Sequence, residues 1–141
     1  MSRPVTIIDT GPIVAYLDVG DLHHHWAAEQ FEQTEFPSLT CDAVLVEAFH
    51  VLRRVRRDTS GLLGMMERGA FVSEFRMLEH GQTLAALLRK YADVPMSLAD
   101  ACLVRMVELT PDARVMTLDS DFRIYRQHGR RQIPLIVPEK L

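Results

Sequence analysis

Cysteine is nearly absent from this 141-residue chain: Cys41 and Cys102 stand alone, far apart and without the spacing of metal ligands. That pattern writes neither a disulfide framework nor a zinc site, and it fits a reducing compartment such as the cytoplasm. No apolar run approaches the length of a membrane span, so no membrane association is expected. Arg3 is the one cation ahead of the first apolar run, and Asp9 interrupts that run too early for a secretory leader. An excess of one charge is also missing, since 16 Lys and Arg stand against 19 Asp and Glu, a net charge of -3. No global basic field announces a nucleic-acid partner, although acids elsewhere would hide a local stripe of arginines. Repeats, low-complexity tracts and linkers are lacking too. What remains is 48% hydrophobic and 25% charged, the composition of a soluble globular protein. It is long enough to bury a core as one domain, residues 1–141, without staples.

The stretch that is there, and that organises the rest, is Val5-Thr6-Ile7-Ile8-Asp9-Thr10-Gly11-Pro12. A β-favouring apolar run ends at an acid, and Pro12 opens a helix to Leu17. Such a run suits a strand buried on both faces, as in a parallel sheet covered by helices. Helical spacing of Leu22, Trp26, Ala27 and Phe31 predicts a second helix over residues 22–31. Pro37 to Cys41 reads as a strand, and Asp42 as the cap of a helix reaching about Arg57. Asp58-Thr59-Ser60 opens a shorter helix that Gly69 ends. Ala70 to Phe75 is a third strand, Thr83 to Tyr91 an amphipathic helix, and Ser97 to Leu109 a strongly apolar one after the break at Pro95. Arg114 to Leu118 and Ile133 to Val137 complete the strands. Alternation of this kind predicts an α/β fold, a single αβα sandwich around a mainly parallel sheet of about four to five strands.

Four acids carry the functional reading. Asp9 and Asp119 each follow a buried strand, and in a parallel sheet those carboxyl ends share the edge where ligands bind. Either acid alone is equally a cap or a turn residue. Asp100 lies on a helix face with Leu103, Val104 and Val107 at i+3, i+4 and i+7, where an unpaired carboxylate is costly. Ser97-Leu98-Ala99-Asp100 also fits a capping box, a reading compatible only in part with a group turned to a cleft. Glu47 sits in mid-helix at the border of the stripe Val44, Ala48, Val51 and Val55, where a solvated glutamate is the plain alternative. Carboxylates converging on one edge repel each other unless a cation holds them, and oxygen ligands select hard ions, Mg²⁺ or Mn²⁺. Such ions support phosphodiester cleavage without a protein nucleophile.

Ile7-Ile8-Asp9-Thr10, Ala43-Val44-Leu45-Val46-Glu47, Ser97-Leu98-Ala99-Asp100-Ala101 and Met116-Thr117-Leu118-Asp119-Ser120-Asp121-Phe122 together resemble the PIN-domain family, in particular the VapC-like toxins of toxin–antitoxin systems. The resemblance runs over essentially the whole chain, in order and spacing. It implies a compact parallel-sheet sandwich and Mg²⁺- or Mn²⁺-dependent endoribonuclease activity. Asp9, Glu47, Asp100 and Asp119 match the family's catalytic, metal-binding acids; Thr117 matches a supporting Ser/Thr, and Asp121 an additional acid of some members. A homodimer is implied as well, silenced by a small antitoxin that occupies the acidic site.

For RNA phosphates the candidates are the arginines after Glu47, chiefly Arg54 and Arg57, with Arg53, Arg56, Arg126, Arg130 and Arg131; ordinary solvated arginine is the rival reading. His23-His24-His25 cannot chelate one ion from consecutive helical positions and reads as an exposed helix start. The six methionines from Met65 to Met116 read as core filler. Two other functions compete. A phosphatase with Asp9 as nucleophile would want a second acid where Gly11 stands. A non-catalytic RNA- or partner-binding module would keep the fold without cleavage.

Overall fold

The computed structural model describes residues 4–141, so Arg3, on which part of the leader argument rests, lies outside the described residues. The apolar run Val5–Ile8 forms β1, with Ile7 and Ile8 wholly buried. Helices α1 (Thr10–Leu17) and α2 (His24–Gln33) follow, then β2 (Ser38–Leu39), α3 (Asp42–Arg54), α4 (Ser60–Glu67) and β3 (Phe71–Val72). After a 3₁₀ turn at Met77–His80 come α5 (Gly81–Lys90), α6 (Leu98–Leu109) and β4 (Ala113–Met116). A second 3₁₀ turn, Ser120–Arg123, leads to the strands β5 (Arg126–Gln127), β6 (Arg131–Gln132) and β7 (Leu135–Ile136). The main sheet is five-stranded in the order β3-β2-β1-β4-β7, and every pair in it is parallel. Helices pack on it, so the predicted α/β parallel-sheet sandwich is what forms.

Strand order places the site. From β1 the chain winds one way through β2 and β3, and from β4 the other way to β7, which makes the β1–β4 junction the switch point where a crevice opens at the carboxyl ends. The register Ile8↔Met116 sets Asp9 beside Thr117, and the Asp9 amide continues the ladder to the Met116 carbonyl at 3.0 Å. Beneath that edge lie Ile13, Val44, Ala48, Leu103, Val104, Val115 and Met116, each fully buried. Burial of each larger aliphatic among them contributes roughly 1.5–3 kcal/mol to the fold that carries this edge. Among the described residues no helix is long and apolar enough to cross a membrane.

Several local expectations need correction. The second helix starts at His24, because the Asp21 carboxylate accepts the His23 amide at 2.8 Å in a turn that throws Leu22 into solvent, 90% exposed. His24 faces inward and bonds the Ala15 carbonyl at 2.8 Å through Nδ1, so the histidine run ties α2 to α1. Cys41, not Asp42, is the cap residue of α3; the Asp42 carboxylate accepts the Ser73 hydroxyl instead. That bond, with Phe75 stacked on the His80 ring at 4.8 Å, draws the chain off the sheet after Val72 and shortens the predicted third strand. Likewise β4 ends at Met116, two residues before Leu118, and β7 covers only Leu135–Ile136. Met66 is exposed, whereas Met65, Met96, Met106 and Met116 are core residues as expected.

The helix predicted to reach Arg57 stops at Arg54. Arg56 takes a left-handed conformation (φ 59°), and the Arg57 amide returns to the Leu52 carbonyl at 2.8 Å. A side chain is disfavoured there, so Arg56→Gly is expected to stabilise the protein by roughly 1 kcal/mol, read as a higher urea midpoint. An unchanged or lower midpoint would mean the turn carries no such cost.

Candidate active site

Asp9 is both cap and cleft residue. As the cap of α1 it accepts the Thr10 amide on Oδ1 at 2.7 Å, and on Oδ2 it accepts the Thr117 hydroxyl, also at 2.7 Å. Thr117 in turn accepts the Asp119 amide at 2.9 Å, so one hydroxyl joins the ends of β1 and β4. Asp119 uses a carboxylate oxygen to cap the 3₁₀ turn through the Asp121 amide at 2.9 Å. Thr40, fully buried just before α3, donates to the Ile8 carbonyl at 2.8 Å and fixes the other flank of β1. Gly11 lets the Leu118 side chain lie against the first turn of α1, where a Cβ would meet it at 3.1 Å.

Asp100 enters from α6. The capping box predicted for it is present, Ser97 and Asp100 each accepting the other's amide (3.0 and 3.3 Å). While capping, the carboxylate stays within electrostatic reach of the other acids of the cleft. It lies near enough to raise the Asp9 and Glu47 carboxyls, and is itself raised by Asp119. Glu47 comes from α3; the residue is exposed along its length, while its carboxyl end is partly desolvated.

Electrostatics record the crowding. Burial pushes the Asp9 carboxyl up to about 7, opposed by the Thr117 and Thr10 bonds and reinforced by Asp100 and Glu47. Glu47 and Asp100 are raised in the same direction, each first by desolvation and then by neighbouring acids. Asp121 is raised too, by desolvation and by Asp119.

The donor set is all oxygen and suits a hard divalent ion such as Mg²⁺ or Mn²⁺. Two further observations agree: the carboxyls repel one another, and the Thr10 hydroxyl, close to Glu47, is buried with no well-formed hydrogen bond among the described residues. The side chains are not drawn in around a point, for no group of three acid, histidine or cysteine residues reaches metal-binding spacing among the described residues. The site therefore fits such an ion in chemistry, while its carboxylates remain spread.

The arginines divide. Arg54 is exposed on α3, seven residues beyond Glu47 and so about 10 Å along the same helix. Arg57 pairs with the buried Asp18 at 2.8 Å, which ties the end of α3 to the end of α1. Arg126 is spent on backbone, donating to the carbonyls of Arg123, Ile124 and Tyr125. Two polar residues at the site escape sequence reasoning. Thr10 follows Asp9 directly, which was its available signal; Tyr125, whose hydroxyl donates to Asp100 at 3.0 Å, gives none.

A hollow of about 570 Å³ at the opposite, amino edge of the sheet is lined by Val5, Thr6, Ser38 and Arg114 and holds none of the four acids. The carboxyl edge is where chemistry-bearing groups converge.

No curated protein matches the chain in sequence. In fold it is similar to VapC20 of Mycobacterium tuberculosis, a sarcin–ricin loop cleaving toxin, at 19% identity and a TM-score of 0.74, over 89% of this chain and 98% of that one. The model of the PIN domain matches residues 6–127, a span that contains all four acids, and the chain belongs to the PIN domain family.

Proposed function

We propose that this protein, acting as a single domain over residues 1–141, is an endoribonuclease of the toxin type that hydrolyses RNA phosphodiester bonds with the help of Mg²⁺ or Mn²⁺. The observation that carries the reading is that Asp9, Glu47, Asp100 and Asp119 lie within electrostatic reach of one another at the switch point, short of ligand spacing, with Asp9 held partly protonated near neutral pH by burial and by its acidic neighbours. Asp9, Asp100 and Asp119 would hold the ion, and Glu47 would complete the set or orient the attacking water. The chemistry supplied by a bound ion is charge neutralisation at the phosphate and a lowered pKa of water. Thr117 keeps the Asp9 and Asp119 ends in register, and Asp121 adds negative charge beside Asp119. Arg54 is free to meet a backbone phosphate; Arg57 would do so only from its ion pair with Asp18. The fold shared with a sarcin–ricin loop cleaving toxin supports structured RNA as substrate. By its resemblance to the VapC-like toxins, the protein is further proposed to act in the cytoplasm as a homodimer, silenced by a small antitoxin that occupies the acidic site.

The test is cleavage of a total-RNA pool by purified protein with Mg²⁺, with Mn²⁺ and with EDTA, beside Asp9→Asn. Discrete fragments that need the ion and vanish in the variant are expected. Cleavage that persists in EDTA or in Asp9→Asn would overturn the assignment; RNA binding without cleavage under every condition would favour a binding module.

A further inference from the structure

Tyr125 is completely buried, yet its hydroxyl is not needed to fill space, because phenylalanine would pack the same ring without a polar group to satisfy. The ring is wedged between Tyr91 and Phe122, each with its centroid 5.1 Å away in an edge-on arrangement. This packing delivers the hydroxyl to Asp100 Oδ2 at 3.0 Å. The Ser97 amide reaches the same oxygen at 3.3 Å, so the carboxylate is held by one oxygen, which frees the other for a ligand.

The segment that follows Tyr125 explains why the ring stays put. β5 and β6 form a small antiparallel hairpin outside the main sheet. Its base is bound where the Arg126 amide donates to the Tyr91 hydroxyl at 3.0 Å. Its tip is bound where the His128 amide donates to Glu108 Oε2 at 2.7 Å and Lys90 Nζ donates to the Gly129 carbonyl at 3.2 Å. The hairpin is thus strapped across the ends of α5 and α6, and its first residue adjoins the tyrosine that grips Asp100.

We infer that Tyr125 is a positioning residue of the acidic site: through its hydrogen bond to Asp100, and braced by the strapped hairpin, it sets the carboxylate in the orientation that receives a divalent cation. The inference rests on the nuclease reading above. Hydrogen-bonded partners of ligating carboxylates fix ligand orientation, and their loss costs about tenfold or more in metal affinity.

The experiment is calorimetric titration of Mn²⁺ into metal-stripped wild type, Tyr125→Phe and Tyr91→Phe, with melting temperatures and the Mn²⁺ dependence of RNA cleavage measured on the same samples. For Tyr125→Phe an affinity for Mn²⁺ about tenfold weaker is expected. Its melting temperature should stay close to wild type, and saturating Mn²⁺ should restore most of the cleavage rate. Tyr91→Phe, which loosens the hairpin base, should weaken Mn²⁺ in the same direction but less. A folded Tyr125→Phe with wild-type affinity and wild-type Mn²⁺ dependence would overturn the inference and leave the nuclease reading standing. Should that variant fail to fold, unchanged affinity in Tyr91→Phe overturns it equally. A wild type that neither binds Mn²⁺ nor cleaves RNA removes the nuclease reading, and this inference with it.

Discussion

Metal-stripped protein is expected to lose stability as pH rises from about 4 to about 7, and Asp9→Asn is expected to abolish most of that loss along with RNA cleavage. The folded Asp9 carboxyl titrates near 7, against an ordinary value of 3.8. Between those values the unfolded chain has released this proton and the folded chain has not. Stability is therefore fully present below about 4 and lost as pH rises through about 7. The difference corresponds to roughly 4 kcal/mol. Raised Glu47 and Asp100 carboxyls act with the same sign. Asparagine fills nearly the same space and carries no charge to desolvate; with its oxygen still accepting the Thr10 amide, its amide nitrogen donates to the Thr117 hydroxyl oxygen, reversing the direction of that bond. At pH 8 in EDTA the variant should melt above wild type by about 10 °C, and at pH 4 the two should nearly coincide. Mn²⁺ added at pH 8 should raise the wild-type melting temperature and leave the variant nearly unmoved, since the cation takes the place of the missing proton. A wild-type melting temperature independent of pH in EDTA would mean that Asp9 is not under this strain.

The parts of the site legible in the sequence were those written in short spans. Val5 to Asp9 announces a buried strand with an acid at its carboxyl end, and Ser97 to Asp100 announces a cap, both local features that one stretch of chain decides. The sequence makes cap and cleft roles of Asp100 compatible only in part, because it cannot show which carboxylate oxygen does the capping. Oδ2 of Asp100 accepts the Ser97 amide while the carboxylate still couples to its acidic neighbours, so one side chain serves both. What could not be read depends on partners far away in the chain. The hairpin at 126–132 has no apolar alternation and is held by Tyr91, Glu108 and Lys90 from other elements. Leu22 fits a helical stripe on paper, but the Asp21 turn removes it from the helix. Cys41 and Cys102, isolated in sequence, become neighbours in the fold, and the Cys102 sulfur, as acceptor, pushes the Cys41 thiol up. Arg57, chosen from its place in a basic run, turned out to have a buried acid to hold.

Thr117→Val should be among the most damaging single substitutions at the site, although it exchanges two side chains of nearly equal shape. The Thr117 hydroxyl is fully buried and makes two bonds at once, donating to Asp9 and accepting from the Asp119 amide. Valine leaves a buried carboxylate oxygen and a backbone amide without these partners, a cost of roughly 2–4 kcal/mol. It also removes a bond that opposes the raised Asp9 pKa, so the pH-dependent loss of stability should deepen. Because the hydroxyl sets the spacing between the ends of β1 and β4, cleavage should fall about 10–100-fold even where the variant is folded. Thr117→Ser keeps both bonds and gives up only a methyl group, so it should cleave at close to the wild-type rate while losing about 1 kcal/mol. The pair of variants separates hydrogen bonding from packing, and urea unfolding with RNA cleavage measures both. If valine cleaved like wild type while serine did not, the side chain's bulk rather than its hydroxyl would organise the edge, and the bridge between the two acids would have no part in the chemistry.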